Sequence, residues 1–217
     1  MRYRSPHETD HLRIRVRVTP GEYGAAVAAV GEWAASLRAD GLAGSLTLDT
    51  YVPEIGRYGG TAPAMTAAEQ VFVADSSAVA ATLRYLPASS IDPVALTAVG
   101  MVAIVRGLLG AEAMDWLASQ PAHPVRVNRA VTQQATQLAH SDWPAPVETA
   151  WRDRATALAT YRQQIPTGTD LTAIVESLLH MHHNRTLGIN PDTEAASRHL
   201  ARQAAISWSA RQARSTQ

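Results

Sequence analysis

Strict alternation of apolar and polar side chains occurs in two places, both early in the chain. From His11 to Val18, HLRIRVRV puts Leu12, Ile14, Val16 and Val18 on one face and His11, Arg13, Arg15 and Arg17 on the other. Ser45 to Val52, SLTLDTYV, alternates again. Period two with β-branched residues predicts half-buried strands near 11–18 and 45–52. Between them Tyr23, Val27, Val30, Trp33, Ala34 and Leu37 recur at helical spacing, behind Pro20 and ahead of Asp40-Gly41, which predicts a helix over 21–38. The two strands could pair in one small sheet covered by that helix.

After Gly59-Gly60 the period changes to that of helices, predicted at about 62–85, 93–108, 111–118, 124–139, 146–164, 170–187 and 191–213. Asp92, Asp170 and Asn190 stand where N-caps belong. Short connections predict a single domain over 1–217. Its expected class is α+β, a small N-terminal sheet followed by a predominantly α-helical body.

Composition narrows the chemistry more than the fold. In 217 residues, 46% are hydrophobic and 18% charged, which is globular. The 19 basic and 19 acidic side chains balance, so no direct nucleic-acid partner and no membrane surface is expected. Every basic residue is Arg, which excludes a Schiff-base lysine, a P-loop lysine and a Ser-Lys dyad. Absence of Cys removes disulfides, thiolate nucleophiles and iron–sulfur sites. The polar start MRYRSPHETD does not resemble a signal peptide. The most apolar stretch, Ala95 to Leu109, is interrupted by Gly100 and Arg106 and reads as too short for a membrane span. A soluble, cytoplasmic protein is expected.

Three places carry candidate chemistry. Arg13, Arg15 and Arg17 on one strand face would repel unless an anion or nearby carboxylates answered them. That leaves either a carboxylate- or phosphate-binding surface or a solvated sheet face. In Leu48-Asp49-Thr50-Tyr51-Val52-Pro53-Glu54-Ile55-Gly56-Arg57-Tyr58-Gly59-Gly60, one helical turn would pair Glu54 with Arg57. This is either a loop bearing catalytic groups or an ion pair beside a turn. In Leu178-Leu179-His180-Met181-His182-His183-Asn184-Arg185, His180 and Asn184 stand at i, i+4 and His182 and Arg185 at i, i+3. A metal site would need a third ligand that the spacing does not supply. A single His as acid or base and a structural His both remain open.

Taken together, the blocks HLRIR, LDTYVPEIGRYGG and LLHMHHNRTLGI resemble the C-terminal domain of class I lantibiotic dehydratases, which also occurs as stand-alone proteins in thiopeptide clusters. The resemblance implies an enzyme that tailors ribosomally made peptides, with no metal or organic cofactor. Its first implied activity is lyase chemistry, expelling glutamate from glutamylated Ser or Thr to leave dehydroalanine or dehydrobutyrine. The alternative is a formal [4+2] cycloaddition joining two dehydroalanines into a pyridine with release of the leader. A third reading is a non-catalytic scaffold that takes up a leader peptide as an added strand.

By motif position, the resemblance gives His180, Arg57, Glu54 and Arg15 as catalytic. Arg13, Arg15, Arg17, Tyr51 and His182 would bind substrate. His182 is also an alternative to His180, and Glu54 could orient an arginine or act as base. The implied partners are a precursor peptide of leader plus core and a separate glutamylating dehydratase subunit, with a homodimer as a further expectation. Relatives of this family usually carry more strand ahead of the Met1-Arg2-Tyr3-Arg4 equivalent, so a sheet edge open to a partner is expected there.

Overall fold

A computed structural model of the chain describes residues 2–4, 10–122, 125–143 and 145–215. These fall into two compact units, Arg13–Pro53 and the remainder, Met1–Leu12 with Glu54–Gln217.

The larger unit is a helical bundle. It contains α2 (Ala62–Tyr85), α3 (Pro93–Leu109), α4 (Ala113–Ser119), α5 (Arg129–Leu138), α6 (Ala145–Gln164), α7 (Leu171–Thr186) and α8 (Pro191–Ser215). The helix α1 (Tyr23–Ala39) belongs to the smaller unit. The predicted helices are found close to their expected bounds because their caps are written locally. Asp92 accepts from the amides of Val94 and Ala95, and Asp170 from that of Thr172. The largest shift is at α5, which starts at Arg129 behind Asn128; that side chain accepts from the Ala130 amide.

Helix α3 is the bundle's axis, packed against α4, α5, α6, α7 and α8. The run Pro93–Ser119 is in fact long and apolar enough to cross a membrane by length and composition, its most apolar 18-residue window having mean hydropathy 2.0, which corrects the expectation drawn from its interruptions. Yet 61% of its most apolar window is buried inside the bundle, so packing accounts for that apolarity. Two glycines of α3 are close-approach points. A Cβ on Gly107 would stand 2.8 Å from Leu158 Cδ1 of α6, and one on Gly100 would stand 2.2 Å from His182 Nε2 of α7.

The expected α+β class is not what the structure shows: the fold is helical. Regular β pairing among the described residues is a three-residue antiparallel ladder, β1 (Arg2–Arg4) with β2 (Asp10–Leu12), in register Arg2↔Leu12. Of the strand expected at 11–18, only His11 and Leu12 enter it. The stretches 13–18 and 45–52 join no ladder. Alternation gives a chain an extended preference, but a strand exists only when a neighbouring backbone takes its hydrogen bonds. The apolar positions that the pattern assigned to a core remain exposed: Ile14 at 53%, Val16 at 59% and Leu48 at 53%.

In the smaller unit, α1 follows a 3-10 turn at Pro20–Glu22, where Thr19 Oγ1 donates to Glu22 Oε2 at 2.6 Å. Gly41, at φ 69°, reverses the chain so that the Leu42 amide bonds back to the Leu37 carbonyl at 2.8 Å. The Asp40-Gly41 stop is therefore found where the pattern put it.

Candidate functional site

Residues 54–61 form a short, firmly held turn ahead of α2. Ile55–Tyr58 is a 3-10 turn, and Gly59 (φ 104°) and Gly60 (φ 73°) bring the chain round. Gly60 N–H donates to the Ile55 carbonyl at 2.9 Å, and Thr61 caps α2 by accepting from the Ala64 amide. Tyr58 is buried with its ring edge-on to Phe72, centroids 5.0 Å apart. Anchored on that side, the turn presents Glu54 and Arg57 to the surface. Arg57 Nη1 donates to Glu54 Oε2 at 3.0 Å, the pair that the i, i+3 spacing predicted. Both side chains are about half exposed, so the pair contributes little stability, on the order of 0–1 kcal/mol.

The other arginine donor looks inward. Arg57 Nε donates to Ser177 Oγ of α7 at 2.9 Å. Ser177 is one helical turn before His180, so these two side chains share a face roughly 5–6 Å apart. His180 Nδ1 lies 3.0 Å from Glu194 Oε2 of α8, and its Nε2 accepts from Asn184 Nδ2 at 2.8 Å. The His180 ring is 45% exposed, so a proton can reach it from outside. Burial alone would raise Glu194, but His180 and Arg198 outweigh it and hold that carboxyl below its ordinary value. Arg198 Nη2 donates to Glu194 Oε1 at 3.0 Å, and Arg198 Nη1 to Glu176 Oε2 at 2.6 Å. An ionised carboxylate therefore faces one nitrogen of a half-exposed imidazole, which is the arrangement of a base oriented by a third group.

His182 is placed quite differently. It is 2% exposed in the core, and its Nδ1 lies 2.8 Å from Asp75 Oδ1 of α2. Asp75 also accepts from Arg154 Nη1 of α6 at 3.0 Å and from Arg185 Nη1 at 2.8 Å. Burial would raise Asp75, yet His182, Arg185 and Arg154 hold it well below the carboxylate range. Burial lowers His182, against the pull of Asp75, so the ring is neutral with its one proton on Nδ1. The geometry agrees: Nε2 has no hydrogen-bond partner among the described residues, and a proton there would be an unanswered buried donor.

Of the residues singled out in the sequence, the larger unit brings Glu54, Arg57 and His180 to one surface region through Ser177. Arg13, Arg15, Arg17 and Tyr51 belong to the smaller unit, where the Arg15 guanidinium lies 4.3 Å from the centroid of the Tyr51 ring. Ser177, Glu194, Arg198 and Asp75 were missed. Asp75 alone left a signal, a lone carboxylate inside the apolar run VFVADSSAV. Among the described residues no three His, Asp or Glu side chains are grouped so as to hold a metal ion.

Residues 1–205 match the family described as lantibiotic biosynthesis dehydratase, C-terminal. The chain belongs to that family. That membership places the chain in the tailoring of ribosomally made peptides. No curated protein matches the chain. Among solved structures it is similar to the tRNA-dependent lantibiotic dehydratase MibB from Microbispora sp. 107891, at 23% identity with a TM-score of 0.81. The likeness covers 97% of this chain and 24% of that one, so the dehydratase family member described here spans about a quarter of that protein's length. At this identity the likeness speaks for the fold.

Proposed function

We propose that this chain is a peptide-modifying lyase that eliminates glutamate from glutamylated Ser or Thr residues. The observation that carries the reading is a half-exposed His180 oriented by Glu194, one turn along α7 from the serine that holds Arg57. In the reaction His180 Nε2, released from Asn184 by the substrate, takes the α-proton of the esterified residue. The C–H electron pair becomes the Cα=Cβ bond, the Cβ–O bond breaks, and the oxygen leaves with glutamate as its carboxylate. Glu194 accepts the hydrogen bond of Nδ1–H, which stays on the ring, and its negative charge stabilises the imidazolium that forms. Arg57 faces the negative charge that develops on the departing group, and Glu54 orients Arg57. The substrate is a precursor peptide, and its glutamylation is assigned to a component other than these residues.

The test uses a synthetic peptide carrying a glutamyl ester on one serine, followed by mass spectrometry. Wild-type protein should yield dehydroalanine and free glutamate. His180→Ala should slow this by about 10²–10⁴-fold. A peptide returned unchanged by the wild type overturns the reading. Conversion of a bis-dehydroalanine peptide to a pyridine macrocycle would assign the chain to cycloaddition instead.

A further inference from the structure

The same α7 that bears His180 forms one wall of a cavity of about 320 Å³. Trp116 and Leu117 of α4, Pro121 after it, Leu179 of α7 and Ala201 of α8 give it an apolar interior. Glu176, Arg198 and Gln120, whose Nε2 already donates to the Trp116 carbonyl at 2.9 Å, form its polar edge, and the exposed Thr172 is among the residues that line it. The polar edge is charge-compensated, because Arg198 is shared between Glu176 and Glu194. An anion there would meet the Glu176 carboxylate beside a guanidinium already paired twice, and a cation would meet an arginine already in place. What the walls reward is a neutral, apolar group. The space is at the lower end of ligand pockets, which suits one large side chain better than a cofactor.

The cavity's polar edge is tied to the site above. Glu176 precedes His180 by one helical turn, and Arg198 contacts Glu176 on one side and Glu194, the partner of His180, on the other. An extended peptide advances about 3.3 Å per residue. Glu176 and His180, at i and i+4 on α7, stand roughly 5–6 Å apart, so a side chain seated beside Glu176 would belong to a residue roughly two positions from the one being processed.

We infer that this cavity is a specificity subsite for a large apolar side chain of the peptide substrate. The inference rests on the lyase reading for the identity of the peptide, but not for binding.

Two measurements on the full chain separate the two. In the first, the indole N–H resonance of Trp116, assigned with Trp116→Phe, is followed by NMR during titration with N-acetyl-phenylalanine amide. A saturable shift is expected, absent with the glycine and aspartate analogues and lost in Thr172→Phe, which covers the cavity with a ring. Ala201→Leu, which fills it from the other side, should also remove the shift. No saturable shift, an equal shift with the aspartate analogue, or a shift that survives both variants overturns the subsite.

In the second, elimination is measured on glutamyl-serine peptides with Phe or Gly two residues away. The Phe peptide should show a KM about tenfold lower, with the difference erased and kcat retained in Thr172→Phe. Equal KM values overturn the subsite while the lyase reading stands. Saturable probe binding with no elimination from any peptide overturns the lyase reading and leaves the apolar site.

Discussion

His182 and Gly100 share one volume: a Cβ on residue 100 would stand 2.2 Å from His182 Nε2. Helix α7 can approach α3 this closely only where α3 has no side chain. The bare side of the ring is therefore the side with no room for a partner, and the other nitrogen is committed to Asp75.

Gly100→Ala should accordingly destabilise the protein although alanine is the better helix former. Overpacking of this kind costs about 1–3 kcal/mol, against roughly 1 kcal/mol gained in propensity. The expected net loss should shrink in the double variant Gly100→Ala/His182→Ala compared with the sum of the single changes. Urea unfolding of the four proteins measures that coupling. Strict additivity would show that the two residues do not meet.

Asp75 is the hub of the core, accepting from a histidine and two arginines, with Arg154 only 1% exposed. Asp75→Ala leaves that guanidinium buried without its counter-charge. The expected cost is about 3–5 kcal/mol, enough to lower the melting temperature by on the order of 10 °C. Glu148→Gln, which breaks the exposed pair with Arg152, should cost less than about 1 kcal/mol by the same assay.

Acid should weaken the fold over two pH windows. His182 is held neutral in the folded state by burial, so its folded value lies below the ordinary 6.5. In that window the unfolded chain binds more protons, and stability is lost as pH falls below about 6.5. Asp75 and Glu194 are depressed carboxyls: their contribution is present above the unfolded value and is lost as pH falls below about 4. Melting temperatures between pH 8 and pH 3 should show both slopes. His182→Gln, still a donor to Asp75, should flatten the upper one; an unchanged slope would assign it to other histidines.

The helices were legible because each carries its own instructions: a cap such as Asp92 or Asp170, an apolar stripe, and a stop such as Asp40-Gly41. The strands were not, because alternation at 13–18 and 45–52 states a preference whose fulfilment depends on a pairing partner. The site shows the same division. Glu54 with Arg57 and His180 with Asn184 are i, i+3 and i, i+4 neighbours, readable along the chain. Glu194 reaches His180 from another helix, and Ser177 reaches Arg57 across 120 residues of sequence. The histidines of HMHH differ only by their angle around α7, which turns His182 to the core and leaves His180 half exposed.

Ser177 should prove a positioning residue for the proposed elimination. Its Oγ accepts from Arg57 Nε at 2.9 Å and donates to the Ala173 carbonyl at 2.9 Å, fixing the guanidinium at the face that carries His180. Ser177→Ala removes this tether. The freed Nε belongs to a half-exposed side chain that water can satisfy, so the melting temperature should move by only about 2–4 °C. Turnover of the glutamyl-serine peptide should fall by roughly 10–100-fold, the scale set by misplacing a group that stabilises developing charge. Ser177→Thr, which keeps the hydroxyl, should recover most of it. Full activity in the alanine variant would remove Arg57, as placed by Ser177, from the reaction.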